Sequence, residues 1–222
     1  MAKNAWKKFE KSDGFRKFKL KFKQLIGKEP KIKTDVKLDT RNYSGWMLVP
    51  QLINQGDTVY SIGICDDIAF ETEIIQKRNA QIFAFDPTPY SVDWIGQQKL
   101  PENFKFFPWA ASSQEGQDEA EGVTVDAFTV QSMARKLGHD HIDLLKMDIE
   151  GAEYDVIEGL LASKLSPKML LIEFHHRFKG IGKHKTLNAV RLLRDAGYLV
   201  ASVSVTGREI SFVHQREMTN LK

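Results

Sequence analysis

The chain has little that suits either an oxidising compartment or a bilayer. Its 222 residues include one cysteine, Cys65, which excludes an internal disulfide framework and a cysteine-built zinc site and predicts a reducing, cytoplasmic setting. No apolar run is long enough to span a membrane and no signal-peptide core is present, so the expected protein is soluble, at most membrane-peripheral. Net charge is only +3, from 32 basic and 29 acidic side chains, but it is unevenly spread. Lysines crowd the first forty residues and leave the rest near neutral. There is no internal repeat. Also missing is a GxGxxG loop of the kind that cradles a diphosphate on a helix N-terminus.

What is present suits one domain behind a basic segment, with 42% hydrophobic and 27% charged residues, ordinary globular values. Residues 1–40 are read as a basic amphipathic segment and linker, and residues 41–222 as the domain. Phe15, Phe18, Phe22, Leu25 and Ile26 fall at helical spacing, with Arg16, Lys17, Lys19, Lys21 and Lys23 mostly off that stripe. Gly27 and Pro30 end this helix, and 29–39 reads as a linker. Strand and helix patterns then alternate. Strands are expected at 58–63, 81–86, 104–108, 142–148, 169–174, 198–205 and 209–214, and helices at 67–78, 90–98, 152–161 and 186–196. A further helix, capped by Asp126, should end at Gly138, and the polar run 112–122 reads as a loop. Alternation of this kind predicts an α/β domain with a mainly parallel sheet. The turn Thr206-Gly207-Arg208 makes the last two strands an antiparallel hairpin.

The densest chemistry lies in Lys146-Met147-Asp148-Ile149-Glu150-Gly151-Ala152-Glu153. An apolar strand ends there in three carboxylates around a glycine, at the carboxyl edge where open α/β sheets bind ligands. The first strand runs into Gly63-Ile64-Cys65-Asp66-Asp67, the position of a nucleotide loop. Asp66 and Asp67 would repel a diphosphate and tolerate or favour a phosphate-free cation such as S-adenosylmethionine; the alternative is that they merely cap the helix, a role compatible with ligand binding. Asp86 follows Gly63 by twenty-three residues, near the spacing at which an acid accepts bonds from a ribose diol. Trp109 and Ala110, past the third strand, sit where adenine would lie; Trp109 either stacks on it or belongs to the core.

Together these residues resemble the FkbM family of methyltransferases over roughly 44–213. The resemblance rests on Ile142-Asp143-Leu144-Leu145-Lys146-Met147-Asp148-Ile149-Glu150-Gly151-Ala152-Glu153, on Phe85-Asp86-Pro87-Thr88-Pro89, and on Leu171-Ile172-Glu173-Phe174-His175-His176. It implies a class I methyltransferase, a Rossmann-like sheet of seven mainly parallel strands closed by the antiparallel C-terminal hairpin. It also implies S-adenosylmethionine-dependent O-methylation, commonly of a sugar or polyketide hydroxyl. The chain departs from the family pattern at Ser61, Cys65 and Asp67.

Expected contacts to the cofactor are Gly63, Cys65, Asp66, Asp67, Asp86, Trp109, Ala110 and Asp148. Expected catalytic residues are His175, Asp148 and Glu150, with His175 as general base because imidazole titrates near neutrality and shares strand parity with Glu173. Lys146, a lysine within a buried strand, needs a carboxylate partner, for which Asp148 and Glu153 are the candidates. Asp148, Glu173 and His175 would suit a hard cation, but no spacing motif singles out a metal site and none is predicted. The expected acceptor is a small molecule or glycan. The lysine-and-phenylalanine stripe of residues 1–26 would suit an anionic membrane surface or simple packing on the domain, while nucleic acid is disfavoured for want of a base-reading module. Two alternatives from other classes are a non-catalytic binding module on the same fold and an RNA methyltransferase recruited by the basic segment.

Overall fold

A computed structural model of the chain describes residues 12–219 and 221; the part of the basic segment before Ser12 lies outside them. The chain begins with helix α1 (Asp13–Leu25), a short hairpin of β1 (Arg41–Tyr43) and β2 (Trp46–Leu48), then β3 (Thr58–Ile62) and α2 (Ala69–Arg78). It continues through β4 (Gln81–Phe85), α3 (Pro89–Ile95), β5 (Phe104–Phe107), β6 (Ala110–Ala111), β7 (Gly116–Ala120), β8 (Val123–Phe128) and α4 (Val130–Leu137). The last part holds β9 (Leu144–Met147), α5 (Glu153–Leu161), β10 (Met169–Glu173), α6 (Gly182–Asp195), β11 (Tyr198–Val203) and β12 (Glu209–His214).

Seven strands form the central sheet in the order β11-β12-β10-β9-β3-β4-β5. β3, β4, β5, β9 and β10 pair in parallel, while β12 runs antiparallel to both β10 and β11. The strands of the sheet centre, such as Leu144–Met147 and Met169–Glu173, are buried at every residue, as expected for a sheet covered on both faces. On one face Met133, Ile157 and Leu193 of α4, α5 and α6 pack on Tyr60 and Leu145. On the other, Trp46, Phe70 and Ile74 pack on Val59 and Leu144. From β3 the chain winds outward through β4 to β5 and then returns to β9 on the other side of β3, so the switch point lies between β3 and β9. Ligands of open α/β sheets bind outside the strand ends at such a point.

Local chemistry sets the element ends. Thr129 caps α4 by accepting a bond from Ser132 N, and Gly138 ends it in the left-handed region. Asp126, expected as that cap, instead lies in β8, because 116–128 forms a hairpin that joins β6 in a three-stranded sheet. The run 112–122 is therefore not simply a loop: Gly116–Ala120 is a strand with mostly exposed side chains. The stretch 29–39 is not a free linker either. Asp35 N donates to Val200 O, Asp35 accepts from the Arg194 guanidinium, and Glu29 is buried. Among the described residues no helix is long and apolar enough to cross a membrane.

Candidate functional site

The carboxyl ends of β3 and β9 touch. Gly63, at φ +79°, sits so close to the turn after β9 that a Cβ there would lie 1.8 Å from the Asp148 carbonyl oxygen. Only glycine fits both the angle and the approach. Two cavities open around this contact, one of about 410 Å³ and one of about 200 Å³, sharing Gly63, Asp86, Thr88, Asp148 and Glu150. The smaller one is apolar at Pro87, Ala110, Ala111 and Ile149. The larger is lined by the carboxylates of Asp67, Glu71, Asp86, Glu121, Asp148 and Glu150 against a single cation, Lys146. A crevice of that composition repels a diphosphate and attracts a cation.

Lys146 is 5% exposed and faces the α2 side of the sheet, in register with Ser61. Its Nζ lies 3.4 Å from Glu71 Oε1, bonds Ser61 Oγ and the Gly63 carbonyl, and stands over the Trp46 ring. The partner is thus Glu71, not Asp148 or Glu153 as expected, because Glu153 belongs to α5 on the opposite face. Glu71 is fully buried, and its second oxygen, Oε2, has no hydrogen-bond partner among the described residues. Glu71 lines the larger cavity, and a buried carboxylate oxygen left without a donor is suited to a cationic hydrogen-bond donor. The sequence reading missed Glu71 and Trp46. The one available signal was Glu71 at helical spacing from the buried Ile74.

Asp86 holds the first loop in place. Its Oδ2 accepts from Ile64 N and Cys65 N at 3.0 and 2.9 Å, and its Oδ1 from the Thr88 amide and hydroxyl. Those four donors fill the carboxylate's acceptor sites, so a ribose diol must share or displace one of them. Cys65, at φ +47°, and Asp67 line the larger cavity, and Asp67 also accepts from Ala69 N at the start of α2. Asp66 faces away from that cavity and accepts from the Tyr90 hydroxyl. Ala110 lines the smaller cavity. Trp109 lines neither; it stacks on Phe85, lies tilted against Phe107 and meets the edge of Phe128. Of the expected cofactor contacts, the crevice therefore gathers Gly63, Cys65, Asp67, Asp86, Ala110 and Asp148, and leaves out Asp66 and Trp109.

Outside the lining of both cavities, His175, 3% exposed, brings the expected catalytic residues together. Its amide donates to Glu153 Oε1 at 2.7 Å and its Nδ1 lies 3.4 Å from Glu153 Oε2, which fixes the ring. Nε2 points at Asp148 and Glu150, each at 3.5 Å, and at Glu173 at 3.9 Å. Glu150 holds its place at φ +50°, an uncommon angle for a residue with a side chain. His176 is turned away: its Nε2 meets Glu29 Oε2 at 2.6 Å.

The electrostatics follow from burial and crowding. Burial pulls the His175 imidazole down, but the hydrogen bond and charge of Glu153, with Glu150 and Asp148, outweigh it and leave the pKa above the ordinary histidine value. Glu153, which burial alone would raise, is held low by its bonds with His175. Burial also lifts Asp148, and burial with the charges of Asp148 and Glu209 pushes Glu173 up to about 7, although Arg208 pairs with it. Asp148, Glu173 and His175 offer ligand atoms within 4.8 Å of one another, a set that could accept a divalent cation.

The pattern described as the methyltransferase FkbM domain matches residues 39–200. The chain belongs to the FkbM methyltransferase family. It is similar to the probable methyltransferase-like protein 24 of Homo sapiens, 26% identical over 141 residues, or 60% of this chain and 36% of that protein. The Rattus norvegicus counterpart is 26% identical over 136 residues, 60% of this chain and 37% of that protein. The chain thus spans little more than a third of the curated relatives it matches. Among solved structures, the FkbM methyltransferase of Methylobacillus flagellatus KT shares the fold, with a TM-score of 0.56 at 13% identity over 78% of this chain and 48% of that one. Both cavities and His175 lie inside the FkbM match, whereas α1 precedes it and β12 follows it.

Proposed function

We propose that the chain is an S-adenosylmethionine-dependent O-methyltransferase acting on a hydroxyl of a sugar, glycan or glycolipid. The observation that carries this reading is the two-part crevice at the β3–β9 switch point, with six carboxylates against one lysine in its larger part and a mainly apolar smaller part. Its residues suit the cofactor. Glu71 Oε2 would take the ammonium, the Pro87–Ala110–Ile149 surface the adenine, and the Asp86 region the ribose. When bound, the cofactor supplies a sulfonium methyl as electrophile.

The remaining work falls to the chain. The acceptor hydroxyl must be held in line beside Asp148 and Glu150 and lose its proton. Positioning can provide most of the rate, and a general base adds roughly 10²–10⁴-fold. His175 Nε2 is the base in this reading. Its ring is fixed by Glu153 on one nitrogen, and its other nitrogen stands 3.5 Å from Asp148 and Glu150, the carboxylates that line the crevice. The raised pKa means that the neutral ring is gained only as pH rises, so turnover should climb with pH. The test is transfer of labelled methyl to a panel of saccharide and glycolipid acceptors. Base-stable ether product from the wild type, with His175→Ala losing turnover but keeping S-adenosylhomocysteine affinity, supports the assignment. Full turnover in His175→Ala removes it as base, and absence of any labelled ether removes the O-methylation reading.

A further inference from the structure

A third cavity, of about 390 Å³, lies between α1 and the turn joining β11 to β12. It carries the cations Arg16, Lys19, Lys23, Arg177 and Arg208 and one carboxylate, Glu209. It adjoins the reaction centre through Arg208, whose Nη1 pairs with Glu173 Oε1, and through Arg177, two residues beyond His175.

The arrangement is built rather than loosely draped. Leu20 of α1 packs so closely on Gly207 that a Cβ there would lie 2.7 Å from Leu20 Cδ1. Gln24 donates to the Pro30 carbonyl, and the buried carboxylate of Glu29 ties Lys23, His176 and Arg177 into one cluster. The positive charge is only partly answered. Lys23 and Arg177 share Glu29, and Arg208 is divided between Glu173 and Glu209. Arg16 and Lys19 have no carboxylate partner among the described residues. Arg208 Nε is buried and has no acceptor among them. Lys17 and Lys21 of the same helix do not line this cavity. Five cations lining one concavity, one of them carrying a buried donor without an acceptor among the described residues, call for an anion with several acceptor oxygens.

We propose that this cavity binds a phosphate group carried by the methyl acceptor. The word acceptor rests on the methyltransferase reading above; the anion site does not. Arginine forks match phosphate oxygens two at a time, and a phosphate held here would direct the attached sugar toward Glu173 and His175. The phosphate could belong to a soluble phosphoester or to a lipid headgroup. The outer face of α1 is relevant to the second source, since Phe18, Phe22 and Leu25 are 67%, 54% and 82% exposed at helical spacing.

Isothermal titration with inorganic pyrophosphate reads the cavity, and titration with S-adenosylhomocysteine reads the crevice independently. The expected result is saturable, salt-sensitive pyrophosphate binding that weakens roughly tenfold in the Arg16→Ala/Lys19→Ala double variant, with homocysteine-nucleoside affinity and unfolding midpoint unchanged. No pyrophosphate binding, or equal binding by the double variant, overturns the proposal. If pyrophosphate binds but S-adenosylhomocysteine does not, the methyltransferase reading fails while the anion site stands. Vesicles of phosphatidylglycerol and phosphatidylcholine separate the sources. Vesicle binding lost in both Arg16→Ala/Lys19→Ala and Phe18→Ser/Phe22→Ser assigns the phosphate to a lipid headgroup. Absence of vesicle binding beside intact pyrophosphate binding assigns it to a soluble phosphoester.

Discussion

Replacing Gly63 with alanine adds one methyl group where the tips of β3 and β9 meet. The new Cβ would lie 1.8 Å from the Asp148 carbonyl oxygen and 2.7 Å from its carbon, both backbone atoms that cannot swing aside. Relieving the clash requires the two tips to part by about 1.5 Å, as van der Waals contact demands. The residue also holds φ +79°, which costs an alanine about 1–2 kcal/mol. With roughly 1–3 kcal/mol for overpacking, the variant should lose about 2–5 kcal/mol of stability. The functional loss should be sharper, because the displaced turn carries Asp148 and Glu150 into the crevice. A misplacement of about 1 Å can cost on the order of 10²-fold in turnover. Urea denaturation measures the first quantity, and labelled methyl transfer with S-adenosylhomocysteine titration measures the second. An alanine variant with an unchanged midpoint and unchanged affinity would refute the contact between the two strand tips.

Other perturbations test the remaining parts. Lys146→Met leaves the fully buried Glu71 without its cation and should cost about 3–5 kcal/mol in urea denaturation, with much of the loss recovered when Glu71→Gln is added. Trp109→Leu should lower stability by about 2 kcal/mol through lost ring packing while leaving S-adenosylhomocysteine affinity intact, and a large affinity loss would return Trp109 to the adenine site. Glu173 is pushed up to about 7 in the fold from 4.5, so the native state keeps a proton the unfolded chain has lost. Its ionisation therefore erodes stability as pH rises between those values, and Glu173→Gln should show a shallower decline over that window in denaturation series. Turnover should rise with pH along a limb set above the ordinary histidine value, and Glu153→Gln should move that limb downward by removing the charge that raises His175.

The strands of the sheet centre are legible because each is a mostly apolar run, interrupted only singly as by Ser61 and Lys146, before a turn. The last strand, Glu209–His214, is read from the sequence with the same bounds the structure gives. Where both faces of a strand meet water, the pattern fails: Gly116–Ala120 has no apolar alternation, and its polar residues read as a loop. That error also moved the cap of α4 from Thr129 to Asp126. The hairpin of β1 and β2 has only three residues per strand, too short for a clear alternation, and its two-residue turn places Ser44 and Gly45 at positive φ. Within the site, Asp148, Glu150 and His175 are predicted together because they follow the carboxyl ends of two neighbouring parallel strands. Glu71 and Lys146 meet only because α2 packs on the β9 face that carries Lys146, and nothing local to either residue announces it. Asp86 was legible by position, while its four protein donors depend on how the first loop folds back.

The acid-lined crevice should distinguish a phosphate-free adenosine from one bearing a diphosphate, and parallel isothermal titrations with S-adenosylhomocysteine and ADP-ribose measure that discrimination directly. Binding of S-adenosylhomocysteine that weakens in Glu71→Gln, with no heat from ADP-ribose, is the expected result. Preference for ADP-ribose, or indifference to the charge at Glu71, would contradict it.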